Sequence, residues 1–314
     1  MARPVYLLTG TTASGKNRVG TVVAERMGAE ILSLDSMKVY RGMDVGTDKP
    51  SLEDRSRVPH HLVDVLDPSE GMNLKRFVAQ AKELAAEIHS RGKDVLLVGG
   101  TALYLNGFLR GVSDGPSADL DFRARLRRES EEVGTPALHE RLKVCDPKSA
   151  ERIHPNDYKR IERALEVFAL VGKPLSSISG QWEEPISCPY VCVVLTWPRE
   201  VLYQRINRRV DRMEEAGLLQ ETERILASGG FGREASQCLG YREMTDVLRG
   251  TCSMPEALEL LKVRTRQFAK RQMTWFRSLP GAHWIEGRTD DDVMTLAARV
   301  LEAFGSPTSG GPES

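Results

Sequence analysis

The feature that constrains this chain most is the run Gly10-Thr11-Thr12-Ala13-Ser14-Gly15-Lys16. An apolar stretch, Val5-Tyr6-Leu7-Leu8, precedes it and reads as a buried strand. Helical spacing follows in Val19, Val22, Val23, Arg26 and Met27. Strand, G-x-x-x-x-G-K, helix is an arrangement that cradles phosphate. Glycines let the backbone curl until successive N–H groups point at one anion. The helix N-terminus adds partial positive charge, and Lys16 adds a full one. Gly10, Thr11, Thr12, Ala13, Ser14, Gly15, Lys16 and Asn17 are therefore the expected diphosphate- or nucleotide-binding set. The position after the lysine is ordinarily Ser or Thr, whose hydroxyl ligates magnesium; here it is Asn17. Its amide oxygen is a neutral ligand on a longer arm, which makes Asn17 the candidate residue for a Mg2+ ion.

Beyond this loop, short apolar runs alternate with helical patterns. Candidate strands are Val5–Leu8, Ile31–Leu34, Leu62–Leu66, Val95–Val98, Val191–Trp197 and His283–Ile285. Helices are expected at about 16–27 and 74–91. The second carries Phe77, Ala81, Leu84, Ala85 and Ile88 on one face, with Gly92 just past its end. Strands alternating with helices imply a parallel sheet wrapped on both faces, with ligands at the C-terminal strand ends. The fold class is thus α/β: a P-loop NTPase-like parallel sheet flanked by helices, with a mainly helical insertion. From about residue 114 to 190 strand patterns vanish and charge density rises, as in Arg123, Arg125, Arg127 and Arg128. The expected division is a core of 1–113 plus 191–304, an insertion at 114–190 and a disordered tail at 305–314. Further helices are expected near 199–216, 218–228, 241–249 and 255–277.

Composition excludes several classes. The chain has 314 residues, with 44 basic and 44 acidic side chains. A net charge of zero argues against wholesale nucleic-acid binding, though not against a local patch. Residues 262–277 hold such a patch: Lys262, Arg264, Arg266, Lys270, Arg271 and Arg277, with no acid among them. The five cysteines form no C-x-x-C pair, so they read as reduced intracellular thiols. No apolar run reaches the length of a membrane span, and no signal-peptide core precedes the first strand. A cytosolic location is the expectation.

The strand ends carry the chemistry. Parallel topology gathers Thr9–Lys16, Asp35-Ser36 and Gly99-Gly100-Thr101 around one crevice. Asp35 there can accept a proton or reach a metal through water. Thr101 offers a hydroxyl and a backbone N–H.

Longer motifs now match a family. Asp35-Ser36-Met37-Lys38-Val39-Tyr40-Arg41-Gly42-Met43-Asp44-Val45-Gly46-Thr47-Asp48-Lys49-Pro50 resembles a signature of the tRNA dimethylallyltransferases, the IPP transferase family. So do Pro59-His60-His61-Leu62, Gly99-Gly100-Thr101-Ala102-Leu103-Tyr104, Arg160-Ile161-Glu162-Arg163, Gly240-Tyr241-Arg242-Glu243 and Thr265–Arg277. The resemblance spans about residues 4–286, in order. It implies transfer of a dimethylallyl group from dimethylallyl diphosphate to N6 of adenine 37, in tRNAs reading codons that begin with U. It implies Asp35 as base, Thr101 as the residue placing the reacting centre, and Lys16 with Arg209 as stabilisers of the leaving diphosphate. Asp35, Ser36, Met37, Lys38, Thr101, Arg123, Lys159, Arg160, Ile161, Glu162, Arg163 and Arg242 match positions used around the anticodon stem-loop. A monomer resembling the shorter bacterial form, without a Cys/His-rich finger, is implied.

The chain departs from the pattern at three places. Thr11 stands for a common Pro, Asn17 for Thr or Ser, and Lys38 for Gln. A lysine has donors and no acceptor, so it cannot pair with an adenine edge as an amide does. Two other readings stay open: a tRNA-binding protein impaired in catalysis, and an ATP-dependent small-molecule kinase. The second gives no reason for the motifs outside the phosphate loop.

Overall fold

The computed structural model describes residues 3–112, 115–178, 186 and 188–305. The order is β1 (Val5–Gly10), α1 (Lys16–Met27), β2 (Glu30–Leu34), α2 (Leu52–Arg57), β3 (His60–His61), α3 (Leu74–Ser90), β4 (Val95–Gly99) and α4 (Ala102–Arg110). Then come α5 (Leu120–Val133), α6 (Thr135–Cys145), α7 (Pro147–Arg152), α8 (Tyr158–Val171), β5 (Tyr190–Thr196), α9 (Arg199–Glu215) and α10 (Leu218–Ala227). The chain closes with α11 (Tyr241–Leu248), α12 (Met254–Phe276), β6 (His283–Glu286) and α13 (Val293–Gly305).

Six parallel strands form one sheet in the order β3-β2-β4-β1-β5-β6. Leu7 of β1 lies between Leu97 of β4 and Cys192 of β5. Strands β2 and β4 are buried at every position, as interior strands of a two-sided parallel sheet should be. Leu8, Ile31, Leu96, Val98, Val193 and Leu195 pack with Val19 and Val23 of α1 and with Leu296 and Val300 of α13. The interior order β2-β4-β1 brings three strand ends side by side, and these are the ends that carry Asp35, Thr101 and the glycine-rich loop.

The chain divides into two compact units, one of Met1–Leu109 and Ile186–Ser314, the other of Arg110–Pro185. The second unit is helical. Its α5, α6 and α8 bury Leu126, Leu138, Leu142, Ile161, Ala164 and Leu165 in a core of its own.

Three sequence expectations need correction. Leu62–Leu66 is not a strand: Leu62 and Asp64 adopt left-handed φ of 61° and 57°, which an extended ladder cannot hold. The edge strand is His60–His61 instead, and Leu66 keeps a lone bridge to Tyr40. Gly305 is the last residue of α13, a helix that periodicity had not picked out; the rest of the expected tail lies outside the described residues. Helices α2 and α4 were likewise not foreseen. Among the described residues, no helix is long and apolar enough to cross a membrane.

Candidate active site

The phosphate loop joins β1 to α1. Gly10 closes the strand where a Cβ would meet the Leu195 carbonyl oxygen at 2.3 Å. Gly15 precedes the helix at φ 90°, a left-handed conformation that favours glycine. No side chain caps α1, and its first turn holds no acid. Its leading N–H groups therefore stay available to an anion.

The rest of the protein shapes this loop from outside. Thr12 donates its N–H to Gln272 Oε1 at 2.8 Å, and Gln272 Nε2 donates to the Gly100 carbonyl at 2.8 Å. The α12 helix thus ties the phosphate loop to the loop after β4. Trp197 Nε1 donates to the Ser14 carbonyl at 2.8 Å. Arg205 donates to the Ala13 carbonyl at 2.9 Å while its guanidinium lies 4.1 Å from the Trp197 ring centroid. Arg209 donates to Thr12 Oγ1 at 3.3 Å and stands 3.6 Å from Asp48. Spacing by four residues puts Arg205 and Arg209 on one face of α9.

Lys16 is buried, and its ammonium donates to the Thr11 carbonyl at 3.2 Å. Burial pushes its amine down to about 8; the nearby Lys38 charge acts the same way, against the pull of Asp35. Burial also lowers the Lys38 amine, with Asp35 opposing. Burial works against ionisation of Asp48, but Arg209, Lys38 and Lys16 outweigh it and hold that carboxyl below the usual range.

Asp35 follows β2 and folds into a local turn: its Oδ1 accepts the N–H of Met37 at 2.9 Å and that of Lys38 at 3.4 Å. Thr101 Oγ1 accepts the Ser36 N–H at 3.2 Å, and the Thr101 N–H donates to the Leu34 carbonyl at 3.2 Å. These bonds lock the ends of β2 and β4 together. The Thr101 hydroxyl proton is left to donate elsewhere. A cleft of about 770 Å3 opens on the cradle, walled in part by Gly15, Lys16, Asn17, Asp48, Arg205 and Arg209.

The donor set does not fit the magnesium expected on Asn17. The hydroxyl that such an ion needs is absent, and Asn17 Nδ2 instead donates to the Asp48 carbonyl at 3.4 Å. Asp48 itself is paired with Arg209. Lys16, Lys38 and Arg209 fill the neighbourhood with positive charge, which repels a dication.

Of the residues proposed for RNA contact, Lys159, Arg160 and Arg242 are exposed. Ile161 and Glu162 are not: Ile161 is fully buried, and Glu162, 5% exposed, accepts the Tyr158 hydroxyl at 3.0 Å. Arg123 and Arg163 are spoken for. Arg123 meets both carboxylate oxygens of the buried Glu166 at 2.7 Å, and Arg163 meets one of them at 2.7 Å. Gln272, Trp197 and Asp48 were missed as site residues. Their one signal was position within long motifs, since a single sequence shows no pairing across 260 residues.

Residues 38–279 match the IPP transferase family. A tRNA dimethylallyltransferase of Geobacter sulfurreducens is 43% identical over 302 residues, covering 95% of this chain and 96% of that protein. One from Syntrophobacter fumaroxidans is 46% identical over 301 residues, covering 95% of this chain and 87% of that protein. The crystal structure of full-length tRNA isopentenylpyrophosphate transferase from Bacillus halodurans has a TM-score of 0.68 at 40% identity, over 96% of this chain and 97% of that one. A eukaryotic dimethylallyltransferase, captured in crystallographic snapshots acting on tRNA, has a TM-score of 0.71 at 30% identity, over 88% of this chain and 70% of that one. With matches of this length and identity around a complete phosphate cradle, the chain belongs to the IPP transferase family.

Proposed function

We propose that this chain moves the dimethylallyl group of dimethylallyl diphosphate onto N6 of adenine 37 in tRNAs that read codons beginning with U. The product is N6-(dimethylallyl)adenosine. The observation that carries the reading is the convergence of the Lys16 cradle, Asp35 and Thr101 at the ends of three adjacent strands.

The diphosphate sits in the cradle as a leaving group. When the allylic C–O bond breaks, its electron pair passes to the diphosphate. The Lys16 ammonium, the leading N–H groups of α1 and the Arg209 guanidinium stabilise that charge. The N6 lone pair of adenine is delocalised into the ring, so N6 attacks well only as its proton leaves. Asp35 takes that proton. Its Oδ1 is fixed by two backbone N–H groups, which leaves Oδ2 as the acceptor. Thr101 donates its hydroxyl proton to the reacting centre. Adenine reaches a buried cradle only by leaving its stack. No step passes through a metal.

Lys159, Arg160 and Arg242 contact RNA phosphates, which gives affinity more than sequence choice. Arg123, Ile161, Glu162 and Arg163 hold the part of the insertion that presents Lys159 and Arg160. All of these residues come from one chain, so a monomer suffices, and a tRNA substrate fits a cytoplasmic location.

The test is direct: incubate the protein with unmodified tRNA and dimethylallyl diphosphate, then digest and weigh the nucleosides. An isopentenyl mass gained on adenosine, and lost in Asp35→Asn, supports the reading. Tight tRNA binding without product selects an impaired homologue instead.

A further inference from the structure

Lys38 is 4% exposed, yet its ammonium makes no hydrogen bond or ion pair with any described residue. Enclosing an ammonium without a hydrogen-bonded anion costs free energy, and here burial lowers the amine against the pull of Asp35 and Asp48. Only its backbone is anchored: its N–H donates to Asp35 and its carbonyl accepts the Asp64 N–H at 3.1 Å. Lys38 and Asn17 line the same small cavity, beside Ser33 and His60. The charges that act on it are those of the cradle: Asp35, Asp48, Arg209 and Lys49. Asn17 occupies the position where a phosphate loop ordinarily places its magnesium hydroxyl. One residue has thus removed a metal ligand, and another, lining the same small cavity, has placed a cation with no hydrogen-bonded anion.

We propose that Lys38 supplies from within the protein the positive charge that a divalent cation would bring, so that this cradle grips diphosphate without magnesium. The inference rests on the cradle reading above and extends it to Lys38 and Asn17. Burial outweighs Asp35 and Asp48 at this ammonium, and diphosphate brings the further negative charge that reverses the balance, which makes Lys38 a binding group held at some expense to stability.

Isothermal titration with inorganic pyrophosphate, in excess EDTA or in millimolar magnesium, tests this. The wild type is expected to bind in EDTA with a Kd within about tenfold of that in magnesium. Lys38→Gln is expected to bind at least about tenfold more weakly than wild type in EDTA. A wild type that loses more than that on chelation, or a Lys38→Gln variant that binds in EDTA like wild type, overturns the proposal. Ligand-free Lys38→Met provides a second readout. It should melt above wild type, because an ammonium whose burial outweighs Asp35 and Asp48 has been replaced by an apolar chain of similar length; a lower or equal Tm shows that those carboxylates already compensate the charge and also overturns it. Lys16→Ala separates the two levels of the argument. If Lys16→Ala binds pyrophosphate like wild type in both media, the cradle reading itself falls, whatever Lys38 does.

Discussion

The phosphate cradle and the helical insertion both bury charge, and they treat it in opposite ways. In the insertion, Glu166 is fully buried and fully answered: Arg123 meets both its oxygens, Arg163 meets one, and the Asp119 N–H donates to it at 2.8 Å. In the cradle, the Lys16 ammonium bonds a single carbonyl and the Lys38 ammonium bonds no described residue; Asp35 and Asp48 favour both charges without cancelling the cost of burial. Charge that the protein cancels for itself is scaffold. Charge left uncancelled in a buried place waits for a ligand that carries the opposite sign. The distinction matters because sequence alone assigned Arg123 and Arg163 to the same RNA-contacting class as Arg160, and only the pairing separates them.

The comparison breaks first at Asp35. Asp35→Asn keeps the shape of the turn and an oxygen for the Met37 and Lys38 N–H groups, but it removes the proton acceptor. Single-turnover prenylation should fall by about 10²–10⁴-fold, the usual worth of a positioned base. Thermal unfolding should be nearly unchanged. Normal turnover by Asp35→Asn would strip Asp35 of its role.

The second test strikes the scaffold. Glu166→Gln leaves two guanidinium groups facing a neutral amide. Loss of charged hydrogen bonds of this kind costs about 2–3 kcal/mol, visible as a lower urea midpoint of the full chain. The rate of the folded enzyme in single turnover should hold. If Glu166→Gln slows chemistry as much as Asp35→Asn, the line drawn between scaffold and site is wrong.

How much of this was legible beforehand depends on the kind of signal. Strands β1, β4 and β5 showed as apolar runs, and β2 as one interrupted by Ser33, because both faces of a parallel sheet are covered. Lys16, Asp35 and Thr101 showed as polar residues at strand ends. Helix α4 did not show, because Tyr104 through Leu109 are all buried and a helix covered all round has no apolar stripe to betray it. Leu62–Leu66 looked like a strand because hydrophobicity says nothing of the left-handed turns at Leu62 and Asp64. Gln272 bridges the phosphate loop and the loop after β4, yet in sequence it is one more polar residue in a basic helix. Pairing is a property of the fold, and so the division between scaffold arginines and available ones had to wait for it.

A third test asks whether the core unit also has scaffold charge that behaves like Glu166. Glu30 is buried, and its bond to Arg91 holds its carboxyl down to about 2, with His61 assisting against the opposing effect of burial. A carboxyl depressed in the folded state stabilises it above the unfolded pKa, and that contribution is lost as pH falls through the folded value. The stability gap between wild type and Glu30→Gln should thus be constant near neutrality and close between about pH 4.5 and about pH 2. Urea titrations across that range read it; a gap that does not depend on pH would mean the pair contributes nothing by its charge.

The smallest effect is the sharpest test of the comparison, because it sets two neighbours on α8 against each other. Arg160 has 67% of its side chain exposed and only a loose partner, Asp157 at 3.5 Å. Arg163, one turn on, is committed to Glu166 and to the Pro116 carbonyl at 2.9 Å. An exposed arginine that neutralises one RNA phosphate releases about one counterion, so Arg160→Ala should reduce the slope of log Kd for tRNA against log salt by about one unit or slightly less. It should leave the melting temperature alone. Arg163→Ala should do the reverse: its cation is already cancelled, so the salt slope stays put while the insertion loses stability. Filter binding over a salt series, with a melt for each variant, reads both quantities. Equal slopes lost from the two variants would mean that a buried carboxylate does not withdraw an arginine from RNA, and the rule drawn from Glu166 would fail where it was derived.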